Sequence, residues 1–225
     1  MEKIEVTRRE IEEKLKNVGD YVKIDYLAAA LKKQLDFDTR RFVLTRLSAL
    51  YESKNMFLEA GKLIRAAADI NTTYEAKMND FVKSAELFIK SGNFAEVDIS
   101  VTKAIAVANE RQKVDVKMKV KEAYKMHAQE AMKRDKRKQA MDVYEKLLTL
   151  DLMPNERKEM QKTLLELYQK LGKIREYSNL QKSMNGPSIT QIREQVNSSP
   201  TSPNNRPRER EAPTRKNPDL DIDWY

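Results

Sequence analysis

No cysteine occurs among the 225 residues, and histidine occurs once. Disulfide frameworks, cysteine zinc sites, iron–sulfur clusters and thiol nucleophiles are excluded, and a reducing, cytoplasmic setting is the simplest fit. One imidazole leaves little for metal or triad chemistry. Glycine is scarce at five residues, and six of the seven prolines lie after Gly186, so the chain before it is nearly empty of helix breakers. No run approaches the roughly 20 apolar residues that cross a bilayer, which argues against an integral membrane protein. The first 20 residues alternate charges with single apolar residues and lack the apolar run of a secretory signal.

What is present is charge and helix-forming residues. Charged residues make up 35% and apolar ones 40%, with 43 Lys plus Arg against 35 Asp plus Glu, a formal balance of +8. Abundant Ala, Leu, Lys, Glu and Met predict an all-α chain. Breaker placement divides it. Residues 1–185 read as the folded body with Pro154 in a loop, 186–197 as a short amphipathic helix or linker, and 198–218 as a disordered tether rich in Pro, Arg, Ser and Asn. Residues 219–225 form an acidic-aromatic motif.

Within the body, Gly19, Gly92 and Gly172 each follow an apolar-periodic stretch and stand two residues before Tyr21, Phe94 and Ile174. A residue that tolerates positive φ there closes one helix and lets the next begin. Two further copies place Asn55 and Asp135 at the same point, since both side chains tolerate the left-handed conformation. The turn positions 19, 55, 92, 135 and 172 lie 36, 37, 43 and 37 residues apart. Apolar and small residues recur around each at helical spacing, as in Leu44, Leu47, Ser48, Tyr51 before Asn55 and Phe57, Ala60, Ile64, Ala67 after it. Five helical hairpins are expected.

The segments Leu47-Ser48-x2-Tyr51…Ala60-x3-Ile64 and Ser84-Ala85-x2-Phe88…Val97-x3-Val101 resemble the tetratricopeptide repeat, whose small residue sits where helices cross and whose large residue follows one turn later. The opening Trp of that family is absent from every copy, and the spacings exceed its period of 34. Helical-hairpin solenoids of the kind found in vesicle-fusion adaptors resemble the chain almost as well. The resemblance implies an α-α superhelix of about five hairpins whose first helices line a concave groove for a segment of another protein. Groove positions on that reading are Thr45, Ala49, Asn79, Val82 and Glu86, then Lys125, Gln129, Lys162 and Glu166. Their mixed chemistry does not reproduce the cationic clamp that some family members use on a terminal carboxylate.

Catalytic and cofactor chemistry find no foothold. His127 with Glu130 is two groups on one face, and His127 occupies a packing position beside Ala128, which reads as a structural histidine. No glycine-rich phosphate loop exists, and no carboxylate sits beside a second His or a nucleophile motif. A non-enzyme with no cofactor and no metal is expected. Most of the ten methionines, including Met78, Met118, Met126 and Met141, read as core filler between hairpins.

Charge is the sharper feature. Residues 111–138 hold eleven basic and four acidic side chains, so this segment carries +7 of the total of +8. Lys113, Lys117, Lys121 and Lys125 recur every four residues along one helix face, and Lys133, Arg134, Lys136, Arg137 and Lys138 crowd the following turn. An acidic protein segment, nucleic acid or an anionic membrane surface would suit such a patch. Aromatic residues for base stacking do not interleave with it. The tail motif, with Asp221, Ile222, Asp223, Trp224 and Tyr225, combines acids with the only Trp of the chain, as short linear motifs do. The leading expectation is a non-catalytic adaptor binding one protein in its groove and a second through this tail. The alternative is a nucleic-acid-associated helical protein using 111–138.

Overall fold

Ten helices follow one another along the computed structural model: α1 Arg8–Leu15, α2 Asp20–Leu31, α3 Phe37–Ser53, α4 Phe57–Asp69, α5 Tyr74–Ser91, α6 Phe94–Val107, α7 Glu110–Lys133, α8 Arg137–Leu148, α9 Pro154–Lys170 and α10 Ile174–Asn185. The structure describes residues 7–185, and no strand occurs among them. The readings of 186–197, 198–218 and 219–225 lie outside the described residues, and the chain divides into two units, Met1–Met184 and Asn185–Tyr225. The chain is all-α.

Local chemistry explains where the helices begin and end. Before α3 the Asp36 carboxylate accepts from the Thr39 N–H at 2.8 Å, and before α7 Asn109 and Gln112 cap each other reciprocally at 2.9 Å. Thr7 and Glu10 do the same for α1. Pro154, read from the sequence as a loop residue, instead opens α9, where a missing N–H is harmless and a fixed φ helps.

The hairpin turns share one backbone device. Asn55, Gly92, Asp135 and Gly172 have φ of 59°, 74°, 54° and 69°. One residue further on, the N–H of Met56, Asn93, Lys136 and Lys173 donates to the carbonyl of Tyr51, Phe88, Ala131 and Tyr168, five residues back, at 2.9, 3.0, 2.9 and 2.8 Å. This is the six-to-one bond of a helix closed by a left-handed residue. The fifth position departs from expectation: Gly19 has φ −67° and is the N-cap of α2, a place where glycine is favoured for a different reason. Gly92→Ala is therefore expected to lower stability by about 1–2 kcal/mol, from backbone conformation alone, because nothing stands within 4 Å of an added Cβ. Gly19→Ala should shift the urea midpoint clearly less.

Packing runs between neighbours in the chain. α2 lies on α3, α3 on α4, and so on to α8 on α9, with α5 also meeting α7. α1 joins through Ile11 and Leu15, and α10 through Tyr177 and Leu180. The main core extends from Ala68 in α4 to Tyr168 in α9, and a second cluster under the N-terminal helices gathers Ile11, Leu27, Val43 and Leu47. Between them, small residues bring backbones close. Ser48 donates to the Ala60 carbonyl and Ser84 to the Gly61 carbonyl, both at 2.9 Å, and Ser84 meets Ser100 at 3.2 Å. Ion pairs then link successive hairpins: Lys83 to Glu52 at 3.1 Å, Lys103 to Asp69 at 2.8 Å, and Lys146 to Asp98 at 2.8 Å. Exposed pairs of this kind contribute little net stability, so the apolar seams carry the fold.

Candidate functional site

Alpha-helix 7 is the element on which a site is built. Its 24 residues make it the longest of the described helices. One side, Val116, Val120, Tyr124, Ala128 and Ala131, is buried in the core. Advancing by about 100° per residue, the opposite side carries Met118, Glu122, Met126, Gln129 and Lys133. Met118 is 59% and Met126 63% exposed. Between this side of α7 and α5 lies a groove of about 830 Å³, with Glu86 and Lys90 on one wall and Lys119, Glu122, Ala123, Met126, His127, Gln129, Glu130, Lys133 and Arg134 on the other. A shallower recess of about 590 Å³ shares Lys90 and Arg134 with it and continues over the turn at Asn55 to Phe57 and Lys136.

The groove positions read from the sequence fare unequally. Glu86 and Gln129 line the groove. Thr45 and Ala49 on α3, Asn79 on α5, and Lys162 and Glu166 on α9 are exposed. Val82 is 5% exposed and belongs to the main core, because its place on α5 faces packed helices and not solvent. Lys125 is engaged elsewhere. Its ammonium donates to Glu156 at 2.6 Å, and Lys121 donates to the same carboxylate at 3.1 Å.

That pairing divides the basic patch. Lys113 pairs with Glu110 at 2.7 Å, Arg134 with Glu130 at 2.6 Å and Arg137 with Asp135 at 2.8 Å. Lys117, Lys133, Lys136 and Lys138 are exposed and have no ion pair among the described residues. The four-residue stripe is thus not one open surface: its Lys121 and Lys125 turn towards α9, and the open positive charge gathers beside the groove and at the turn after it. Glu156 serves twice, since its carboxylate also accepts from the Met153 N–H at 3.1 Å at the start of α9.

Hydrogen bonding from Lys125 first, then from Met153 and Lys121, holds the Glu156 carboxyl down at about 2, below its usual 4.5. A depressed folded value contributes stability in full above the ordinary carboxylate range, and loses it as pH falls through the folded value. Glu156→Gln is accordingly expected to be less stable than the wild type at neutral pH. The difference should close between pH 4.5 and about 2, which urea titrations of both proteins across that window will read.

His127 sits half-buried in the groove wall. The Gln139 amide donates to its Nε2 at 2.9 Å, and its Nδ1 has no hydrogen-bond partner among the described residues. Burial, opposed by Glu130 and reinforced by Lys90, Lys136 and Arg134, lowers its pKa and keeps the ring neutral. Among the described residues no three acidic or histidine side chains are placed to hold a metal, so His127 and Glu130 have no third partner. No described helix is long and apolar enough to cross a membrane.

Met126, which lines the groove, and Met118, exposed on the same helix, are residues that the sequence reading assigned to the core. A usable signal existed: Met126 lies two residues from Tyr124, on the far side of a helix whose buried side Tyr124 defines. Met78 and Met141, by contrast, are 6% and 4% exposed and do fill the core.

No family model matches the chain, and no curated protein matches it. Among solved structures, the crystal structure of BtubC (BKLC) from P. vanneervenii aligns with a TM-score of 0.34 and 14% identity, over 91% of this chain and 85% of that one. A likeness of that degree carries no argument about fold or role.

Proposed function

We propose that this chain is a non-catalytic, cytoplasmic adaptor: a solenoid of five tetratricopeptide-like hairpins that holds a segment of another protein on the face of α7, while residues 219–225 recruit a second partner. The observation that carries this reading is the groove between α5 and α7, lined by the exposed Met126, on a helix anchored by its other side and carrying a second exposed methionine, Met118, outside the groove lining. Large apolar side chains displayed in a concavity are a mark of recognition surfaces. The repeated turn at Asn55, Gly92, Asp135 and Gly172 supports a modular stack, because four of the five hairpins turn through the same backbone geometry.

The nucleic-acid alternative draws on the same lysines, and its support is thinner where Glu156 occupies Lys121 and Lys125. Deleting residues 219–225 separates the two attachments. The truncated chain should lose one partner completely, keep the other within about twofold, and melt at the same temperature. Retention of both partners would remove the tail from the proposal. Binding of DNA or RNA that falls steeply with salt and is abolished by Lys117→Glu with Lys133→Glu would favour the alternative.

A further inference from the structure

We infer that the recess at the hairpin turns is a second docking surface, distinct from the α5–α7 groove, and that it takes a short acidic protein segment carrying one bulky apolar residue.

Position comes first. The recess of about 590 Å³ is lined by Asn55 and Met56 at the α3–α4 turn, by Lys90 and Ser91 at the end of α5, and by Arg134 and Lys136 on either side of Asp135 at the α7–α8 turn. Three successive hairpins thus present their turns to one cavity. The left-handed residues Asn55, Gly92 and Asp135 close those turns, so its rim is held by backbone geometry.

Part of the lining is apolar. Phe57 and Leu58 are half-buried at the start of α4, and Met56 beside them is 41% exposed. Phe57 packs against Ala60, Ile64 and Leu87, with the Lys90 ammonium over its ring at 5.4 Å. Met56 gives an incoming side chain something to cover, and its unbranched thioether adapts to an aliphatic or an aromatic one.

Charge selects the rest. Lys90, Arg134 and Lys136 line the recess against a single carboxylate, Glu59. The acids that pair with two of these cations stand outside the lining: Glu130 meets Arg134 at 2.6 Å, and Glu52 meets Lys90 at 3.4 Å while shared with Lys83 at 3.1 Å. Lys133 and Lys138, exposed on either side of the same turn, have no ion pair among the described residues, and neither has Lys136. The acid of that turn, Asp135, is taken by Arg137 at 2.8 Å. In the α5–α7 groove, by contrast, three carboxylates face four cations. A positive surplus beside an apolar strip complements carboxylates that flank an apolar anchor. Nucleic acid fits less well, because the one ring it could stack on, Phe57, is half-buried with Lys90 over its face.

Fluorescence anisotropy tests this with a labelled nine-residue peptide that has two acidic residues on each side of a central phenylalanine, titrated with the full-length protein. Saturable binding is expected, with a Kd below about 100 μM. Changing the peptide's phenylalanine to alanine should weaken it at least about tenfold, Lys136→Glu about tenfold and Met56→Gln about fivefold. Lys162→Glu, the same charge change at an exposed position of α9 outside the recess, should stay within about twofold, as should Met126→Gln in the groove. Equal weakening by Lys136→Glu and Lys162→Glu would reduce the effect to net charge and overturn the inference. Weakening by Met126→Gln that matches Met56→Gln would overturn it by moving the peptide to the groove. Indifference to the peptide's phenylalanine, with displacement by an oligothymidine strand, would overturn it in favour of a polyanion surface, and absence of saturable binding below about 1 mM would overturn it outright. Circular dichroism of each variant establishes that it is folded.

Discussion

Phe88→Ala is expected to lower the free energy of unfolding by about 3–5 kcal/mol, the range for deleting a fully buried phenylalanine whose cavity cannot close. Phe88 is 0% exposed and lies on α5, the helix packed against both α4 and α6. Its ring fits against Gly61 of α4: a Cβ added there would stand 2.8 Å from the ring. The Arg65 guanidinium caps the ring at 5.1 Å and also pairs with Glu96 of α6, so the neighbours are held on both sides. Its carbonyl closes the turn by accepting from the Asn93 N–H at 3.0 Å, which ties the packing to the left-handed Gly92. Gly61→Ala sets overpacking of about 1–3 kcal/mol against a helix-propensity gain of about 1 kcal/mol. It should therefore be mildly destabilising alone, and neutral or stabilising once Phe88 is alanine. Urea denaturation of the four proteins measures that coupling. Strict additivity would mean that the ring and the glycine do not share a seam.

The second large effect concerns binding and leaves stability alone. Changing Met118 and Met126 together to glutamine should weaken the partner held on the face of α7 by about a hundredfold. Covering each methionine is worth about 1.5–3 kcal/mol, and part of the combined loss is recovered by rearrangement at the interface. Both side chains project away from the buried side of α7, and surface substitutions of this kind usually change stability by less than about 0.5 kcal/mol. Calorimetric titration with a groove-binding peptide, beside a thermal melt, distinguishes the two quantities. Equal loss of melting temperature and affinity would place the methionines in the structure and not in recognition.

How much of this was legible in the chain follows from the kind of constraint involved. Asn55, Gly92, Asp135 and Gly172 could be located because a positive φ is a demand on one residue, and few residue types meet it. Gly19 misled because an N-cap favours glycine too, and the letter does not say which demand it answers. Helix periodicity exposed the buried side of α7 through Tyr124, Ala128 and Ala131, yet Met118 and Met126 were grouped with it on hydrophobicity alone. Val82 shows the reverse error, a residue assigned to the groove that α5 needs for packing on more than one neighbour. Glu156 joins Lys121 and Lys125 across 35 and 31 residues, a separation that no local pattern encodes. The same holds for Gly61 and Phe88, which meet only once α4 and α5 are side by side.

Methionine oxidation followed by mass spectrometry tests the central claim most directly, since the chain carries its own controls. In the free protein, Met56, Met118, Met126 and Met153, exposed by 41%, 59%, 63% and 69%, should oxidise quickly, and Met78 and Met141 slowly. With a partner bound on the face of α7, Met118 and Met126 alone should become protected while Met56 and Met153 react as before. Undiminished oxidation of Met118 and Met126 in the complex, or protection confined to Met56 or Met153, would contradict α7 as the face on which this protein holds its partner.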